Sequence, residues 1–138
     1  MNQKRIRFLM TRLGPVGDDR RAKAVCIGLR DAGMEVIYTG MEQSPKQIIE
    51  AALQEDADVV GLSIPSNEEI NIIEQIINLA KKYDLNNTTF ILAGGIDTPK
   101  EDIQKIKSMG IKKTFGSDAK TEEIVEFLYE IFPDRPRY

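Results

Sequence analysis

Five short apolar runs separated by helical patterns constrain this sequence more than any other feature. Residues 5–10 (RIRFLM), 34–38 (MEVIY), 58–62 (DVVGL), 89–93 (TFILA) and 111–115 (IKKTF) are rich in Val, Ile and Phe, and short enough for strands of a buried parallel sheet. Between them the period changes. Ala22, Val25, Cys26 and Leu29 keep the i, i+3, i+4, i+7 spacing of one helix face; Ile70, Ile73, Ile77 and Ala80 keep a similar one, as do Ile124, Phe127, Leu128 and Ile131. Ser44-Pro45 predicts an N-cap with proline at the first helical position, and Thr98-Pro99 predicts the same arrangement before a helix ending near Met109-Gly110. The expected count is five strands and five helices, in strict alternation.

Alternation with short connections implies a parallel sheet covered on both faces by right-handed crossovers. A chain of 138 residues, 41% hydrophobic and 30% charged, can bury a real core as one domain spanning residues 1–138. At this length the economical arrangement is a flavodoxin-like, doubly wound α/β fold with a five-stranded parallel sheet in the order 2-1-3-4-5. Such sheets bind ligands beyond the carboxyl ends of their strands, at the switch point between strands 1 and 3. Chemistry is therefore expected in the loops 12–21, 62–68 and 93–98. The tail FPDRPRY, from about residue 132, is expected to be irregular because two prolines interrupt it.

Composition removes several function classes. The chain has no histidine, which takes away the usual neutral-pH acid/base group and the commonest transition-metal ligand. Its single cysteine, Cys26, cannot close an internal disulfide, so a cytoplasmic location is favoured and a structural zinc site disfavoured. With a net charge of −3 and scattered basic residues, no nucleic-acid face is indicated. No apolar run is long enough for a bilayer, and the opening Met-Asn-Gln-Lys-Arg is too short and polar for a signal peptide.

The first loop, LGPVGDDRRAKAV (13–25), is neither a G-x-G-x-x-G fingerprint nor a Walker sequence. It also lacks the Thr, Ser and Gly richness usual for a flavin phosphate loop. A phosphoacceptor receiver would need an aspartate at the end of the third strand, where Leu62-Ser63 stands instead.

What the loops do resemble is the cobalamin-binding domain of adenosylcobalamin-dependent acyl-CoA mutases, the methylmalonyl-CoA mutase type. That family carries D-x-H-x-x-G after strand 1, S-x-L after strand 3 and G-G after strand 4. Here Val16-Gly17-Asp18-Asp19-Arg20-Arg21, Ser63-Ile64-Pro65 and Gly94-Gly95 stand in those places with both separations preserved. Leu13-Gly14 and Asp19-Arg20-x-Ala22-Lys23 also resemble the mutase wording. The resemblance implies cofactor contacts from Gly17, Asp18, Asp19, Arg21, Ser63, Pro65, Gly94, Gly95, Gly116 and Ser117. In the family the histidine ligates cobalt from below, the earlier aspartate orients it, and the glycine gives the displaced nucleotide tail room. Asp18, Val16 and Arg21 occupy those three positions, so the resemblance implies cobalamin (adenosylcobalamin) without a histidine lower ligand, and no protein ligand to the metal is assigned. Arg21 is placed either to pair with a phosphate or to fill the cleft.

Each site residue also has a structural reading. Ser63 suits a turn or cap, Gly94-Gly95 a tight turn, and Asp18 with Asp19 an N-cap complementing the dipole of the first helix. Arg20, Arg21 and Lys23 suit a solvated face. Two functions follow from the resemblance: a cofactor-binding module or small subunit serving a larger mutase subunit, or a cobalamin-free structural or assembly subunit that keeps the fold. Neither is catalytic alone, because 138 residues leave no room for a substrate chamber. A homo-oligomer is compatible with both.

Overall fold

The computed structural model describes residues 4–13, 19–40, 42–64, 70–95 and 97–137. Its strands, β1 (Arg7–Arg12), β2 (Glu35–Tyr38), β3 (Val59–Ser63), β4 (Thr89–Leu92) and β5 (Ile111–Thr114), alternate with helices α1 (Arg20–Asp31), α2 (Pro45–Gln54), α3 (Ile70–Lys82), α4 (Lys100–Met109) and α5 (Thr121–Ile131). The strands form one parallel sheet in the order β2-β1-β3-β4-β5, as the alternation predicts. β1 runs two residues past the expected end at 10, because Thr11 and Arg12 still pair with Leu62 and Ser63. Polar side chains there break the apolar pattern without breaking the ladder.

Successive strand residues point to opposite faces, so each strand feeds two cores. Leu9, Val60, Leu62 and Leu92 pack with Ile48, Ile73, Ile77 and Ile106 from α2, α3 and α4. Phe8, Met10, Val59 and Ile91 pack with Val25, Leu29, Ile124 and Leu128 from α1 and α5. The helix faces expected for α1 and α3 are buried throughout, whereas in α5 Phe127 and Ile131 are only partly buried and Tyr129 goes inside, its hydroxyl donating to the Ala32 carbonyl at 2.8 Å. Gly61 leaves space for the Phe8 ring: a Cβ there would lie 2.5 Å from its Cζ.

Helix ends follow local chemistry. At α2 the Gln47 amide donates to Ser44 Oγ (3.2 Å) while Ser44 N donates to Gln47 Oε1 (2.9 Å), a reciprocal capping box with Pro45 in the first turn. Ser44→Ala is expected to cost about 1 kcal/mol of unfolding free energy, measured by urea titration. The Thr98-Pro99 expectation is one residue out. Pro99 itself is the N-cap, at φ −56° and ψ 141°, with its carbonyl accepting from the Asp102 amide at 2.9 Å. An extended ψ suits a residue that precedes a helix, and no side chain caps this one. Gly110, at φ +129°, takes up the left-handed conformation where α4 ends.

The tail leaves α5 after Ile131 and folds back along the amino edge of the sheet. Arg135 donates from Nη1 and Nη2 to both oxygens of Asp58 (2.7 and 2.8 Å), and its Nη1 also reaches the Arg5 carbonyl at 3.3 Å. The same Asp58 accepts from the Arg7 amide at 2.9 Å, so one carboxylate joins β1, the entry to β3 and the tail. Arg137 lies 4.3 Å over the Tyr129 ring and pairs with Glu126 at 2.6 Å. At one of the sheet's two edges, β5 carries Lys112 and Lys113, both exposed. Among the described residues no helix is long and apolar enough to cross a membrane.

Candidate functional site

At the carboxyl edge, the start of α1, the end of β3 and the segments after β4 and β5 converge. They bring Asp19, Arg21, Ser63, Gly94, Gly95, Gly116 and Ser117 to one rim, while Gly17, Asp18 and Pro65, with Val16, lie outside the described residues.

Ser63 is fully buried and ends β3 at the switch point. Its hydroxyl donates to the Gly94 carbonyl at 2.9 Å and accepts from Arg12 Nη1 at 3.1 Å. Arg12 is only 5% exposed, so a guanidinium is held beneath the rim by a side chain that is itself tied to the β4 loop.

The two glycines after β4 are packed by the protein's own backbone. Gly94 sits at φ +75°, and a Cβ on it would lie 2.9 Å from Ala22 Cα; a Cβ on Gly95 would lie 2.5 Å from the Ile64 carbonyl oxygen and 2.6 Å from its nitrogen. Neither neighbour is a flexible side chain. Gly95→Ala is accordingly expected to lower stability by about 2–3 kcal/mol, read as a fall in the thermal midpoint. Arg21, from the first turn of α1, crosses the seam and donates to the Gly95 carbonyl at 2.6 Å. Arg21 is exposed on α1, as the sequence suggests, and its guanidinium also makes this bond to the β4 segment.

The β4 and β5 loops are joined in turn by Asp97, which accepts from Ser117 N (2.5 Å) and Ser117 Oγ (2.9 Å). These two bonds hold the Asp97 carboxyl below the usual carboxylate range, and the nearby Arg21 charge adds to the effect. A Cβ on Gly116 would meet Asp97 Oδ1 at 2.6 Å, so a larger residue there would push that carboxylate off its present position.

Asp19 occupies the N-cap position of α1 without the expected side-chain cap. At φ −107° and ψ 15° its backbone lacks the extended form that turns a cap side chain back over the first turn. Its Oδ2 instead accepts from the Tyr38 hydroxyl at 2.7 Å and faces Lys23 Nζ at 3.6 Å. The tyrosine bond, then the lysine charge, hold this carboxyl below its ordinary range, while burial first and Asp19 second push the Tyr38 phenol up. Stability from the depressed Asp19 is present above its unfolded-state pKa and is lost as pH falls through the folded value. Arg12, Tyr38 and Asp97 were not singled out from sequence. A charge closing an apolar run was the available signal for Arg12, and Asp97 fell inside the loop 93–98.

A doubly wound sheet whose loops meet in a glycine-backed seam beside its switch point is the frame of a ligand-carrying α/β module. The chain belongs to the B12 binding domain family, whose model matches residues 6–126. It is similar to the 2-hydroxyisobutanoyl-CoA mutase small subunit of Aquincola tertiaricarbonis, with 33% identity over 98% of both chains. It is likewise similar to the pivalyl-CoA mutase small subunit of Xanthobacter autotrophicus, at 35% identity over 88% of this chain and 80% of that one. Among solved structures, a cobalamin-binding protein from Desulfitobacterium hafniense superposes with a TM-score of 0.78 at 17% identity. It covers 92% of this chain, which spans 59% of that protein. The signal receiver domain of NarL from Mycobacterium tuberculosis superposes at 0.69 and 17% identity, covering 96% and 99% of the two chains. These last two likenesses concern the fold alone.

Family membership implies a cobalamin, and the described residues can be tested against it. The 138 residues include no histidine to hold cobalt. The glycines that the resemblance assigns to the nucleotide tail are covered by Ala22 and Ile64, and Ser63 already makes two hydrogen bonds within the protein. The residues present therefore do not fit a cobalamin whose cobalt is held from below by a protein histidine.

Proposed function

We propose that this chain is the small, cofactor-carrying subunit of an adenosylcobalamin-dependent acyl-CoA mutase, a single cobalamin-binding-like domain over residues 1–138 that works in the cytoplasm with a larger catalytic subunit. One observation carries the reading: the similarity to a mutase small subunit runs over 98% of both chains. Adenosylcobalamin, when bound, supplies the radical for a carbon-skeleton rearrangement, and the larger chain would supply the substrate chamber. The role left to this chain is to present a rim. Asp97 with Ser117, and Ser63 with Gly94, tie the end of β3 and the segments after β4 and β5 to one another.

The isolated chain is expected to show no isomerase activity with any acyl-CoA and adenosylcobalamin, and to gain it when mixed with the large subunit of an acyl-CoA mutase of the same source. Turnover by the chain alone would overturn the proposal. The missing histidine favours one second reading, a cobalamin-free assembly subunit. Stable association with the large subunit, without any absorbance change on cobalamin titration, would select it.

A further inference from the structure

Negative charge is concentrated on the outward face of α5. Residues 118–131 hold five acids and one lysine, while the whole chain nets −3, so the remainder of the molecule is slightly positive. Glu122, Glu126 and Glu130 are exposed and follow one another at i, i+4 and i+8, a line of like charges that repels itself along the helix. Glu130 also stands in the last turn, where the helix dipole disfavours an acid and α5 has no basic residue. Neither the spacing nor the last acid stabilises the helix. A groove runs along each side of this line. One, of about 420 Å³, lies between β5 and α5, with Phe115 and Phe127 in its lining beside Asp118, Glu123 and Glu130. The other, of about 350 Å³, lies between α1 and α5, with Ala32 and Val125 in its lining beside Asp31 and Glu122. Glu126 borders both.

The chain's own cations show what chemistry this face takes. Arg137, from the tail, pairs with Glu126 at 2.6 Å while its guanidinium lies 4.3 Å over the Tyr129 ring. Lys113 Nζ, in the lining of the first groove, lies 5.7 Å from the centre of the Phe127 ring. Among the described residues, Asp31, Asp118, Glu122, Glu123 and Glu130 enter no ion pair. We propose that the outer face of α5, with its two grooves, is a docking surface for an arginine-bearing segment of a partner protein. Arginine matches both halves of the surface: its planar guanidinium stacks on a ring while pairing with a carboxylate, as Arg137 does, and its methylene stem covers an apolar floor. The contact needs no cofactor and goes beyond the role proposed above.

The test titrates the full chain into a short, fluorescently labelled peptide of alternating arginine and alanine, at about 0.1 M salt so that distant charges are screened. A dissociation constant of about 10–100 μM is expected, and one weaker than about 1 mM would overturn the proposal. Glu122→Gln with Glu130→Gln should weaken binding about fivefold or more. Glu50→Gln with Glu74→Gln makes the same charge change on exposed positions of α2 and α3, across the sheet, and should alter binding less than about twofold. Equal losses from the two pairs would mean diffuse attraction, and the proposal would fail. Arg137→Ala frees Glu126 and Tyr129 and should tighten binding about threefold, whereas Lys105→Ala, which removes the same charge from α4, should leave it nearly unchanged. No gain from Arg137→Ala, or an equal gain from Lys105→Ala, would show that the resident arginine does not mark the docking surface. A peptide of alternating lysine and alanine should bind about threefold more weakly than the arginine peptide; equal affinity would overturn the assignment to arginine.

Discussion

Arg135→Ala should lower the unfolding free energy by about 2–4 kcal/mol, because it strands a carboxylate at the centre of the amino edge. Asp58 and Arg135 are 19% and 14% exposed, and they form two parallel N–H to O bonds at 2.7 and 2.8 Å. With Arg135 gone, Asp58 keeps the Arg7 amide but loses its counter-charge, and the tail loses its tie to the Arg5 carbonyl. For a chain of this size the loss corresponds to a midpoint lower by roughly 7–14 °C, measurable by calorimetry. Asp58→Ala should cost about as much, and the double variant clearly less than the sum of the two, since they share the Arg135–Asp58 pair. Arg137→Ala is the control. Its pair with Glu126 is 52% and 62% exposed, and less than about 1 kcal/mol is expected there. Equal effects from Arg135 and Arg137 would show that the tail is not clamped.

The second large effect is a gain. Val16→Asp, Asp18→His and Arg21→Gly together should create cobalamin binding with the base displaced and histidine on cobalt, which the parent lacks. Displacing the cofactor's own base costs free energy, and a protein nitrogen ligand, its carboxylate orienter and a buried tail must together offset it. The third change removes the bond to Gly95 and loosens the first turn of α1, at a helix cost of about 1 kcal/mol. Affinity about tenfold or more above the parent is expected, with a base-off visible spectrum and nitrogen coupling in the paramagnetic resonance of the Co(II) form. If the variant folds and binds nothing, the departure from the family extends into the tail pocket, and the assembly subunit becomes the better account.

The fold could be read from the sequence because its signals are periodic and redundant. Ala22, Val25, Cys26 and Leu29 each face the same core, and any one of them could have been polar without hiding α1. Ser44-Pro45 was equally plain, being a local cap that needs no partner outside its own turn. The spacing of the loops carried the family as well, since Ser63 and Gly94 do end up bonded to each other across 31 residues. What stayed hidden depends on side chains meeting across the sheet. Asp19 reads as a cap until Tyr38 is brought beside it by the pairing of β1 with β2, and nothing local announces that the exposed Arg21 also bonds to Gly95. Arg12 went unremarked because a charge at the end of an apolar run looks like the run's stop signal, whereas it is the last buried rung of β1.

The two exposed lysines of β5 have a consequence for how copies of this molecule meet. An edge strand offers unpaired backbone groups to any extended chain that approaches, and a second β5 laid alongside would set Lys112 and Lys113 against their own kind. One of these ammonium groups is also occupied, lying 5.7 Å from the centre of the Phe127 ring. That border resists continuation of the sheet into a neighbouring molecule, so crowding at high concentration should not zip these chains edge to edge through β5.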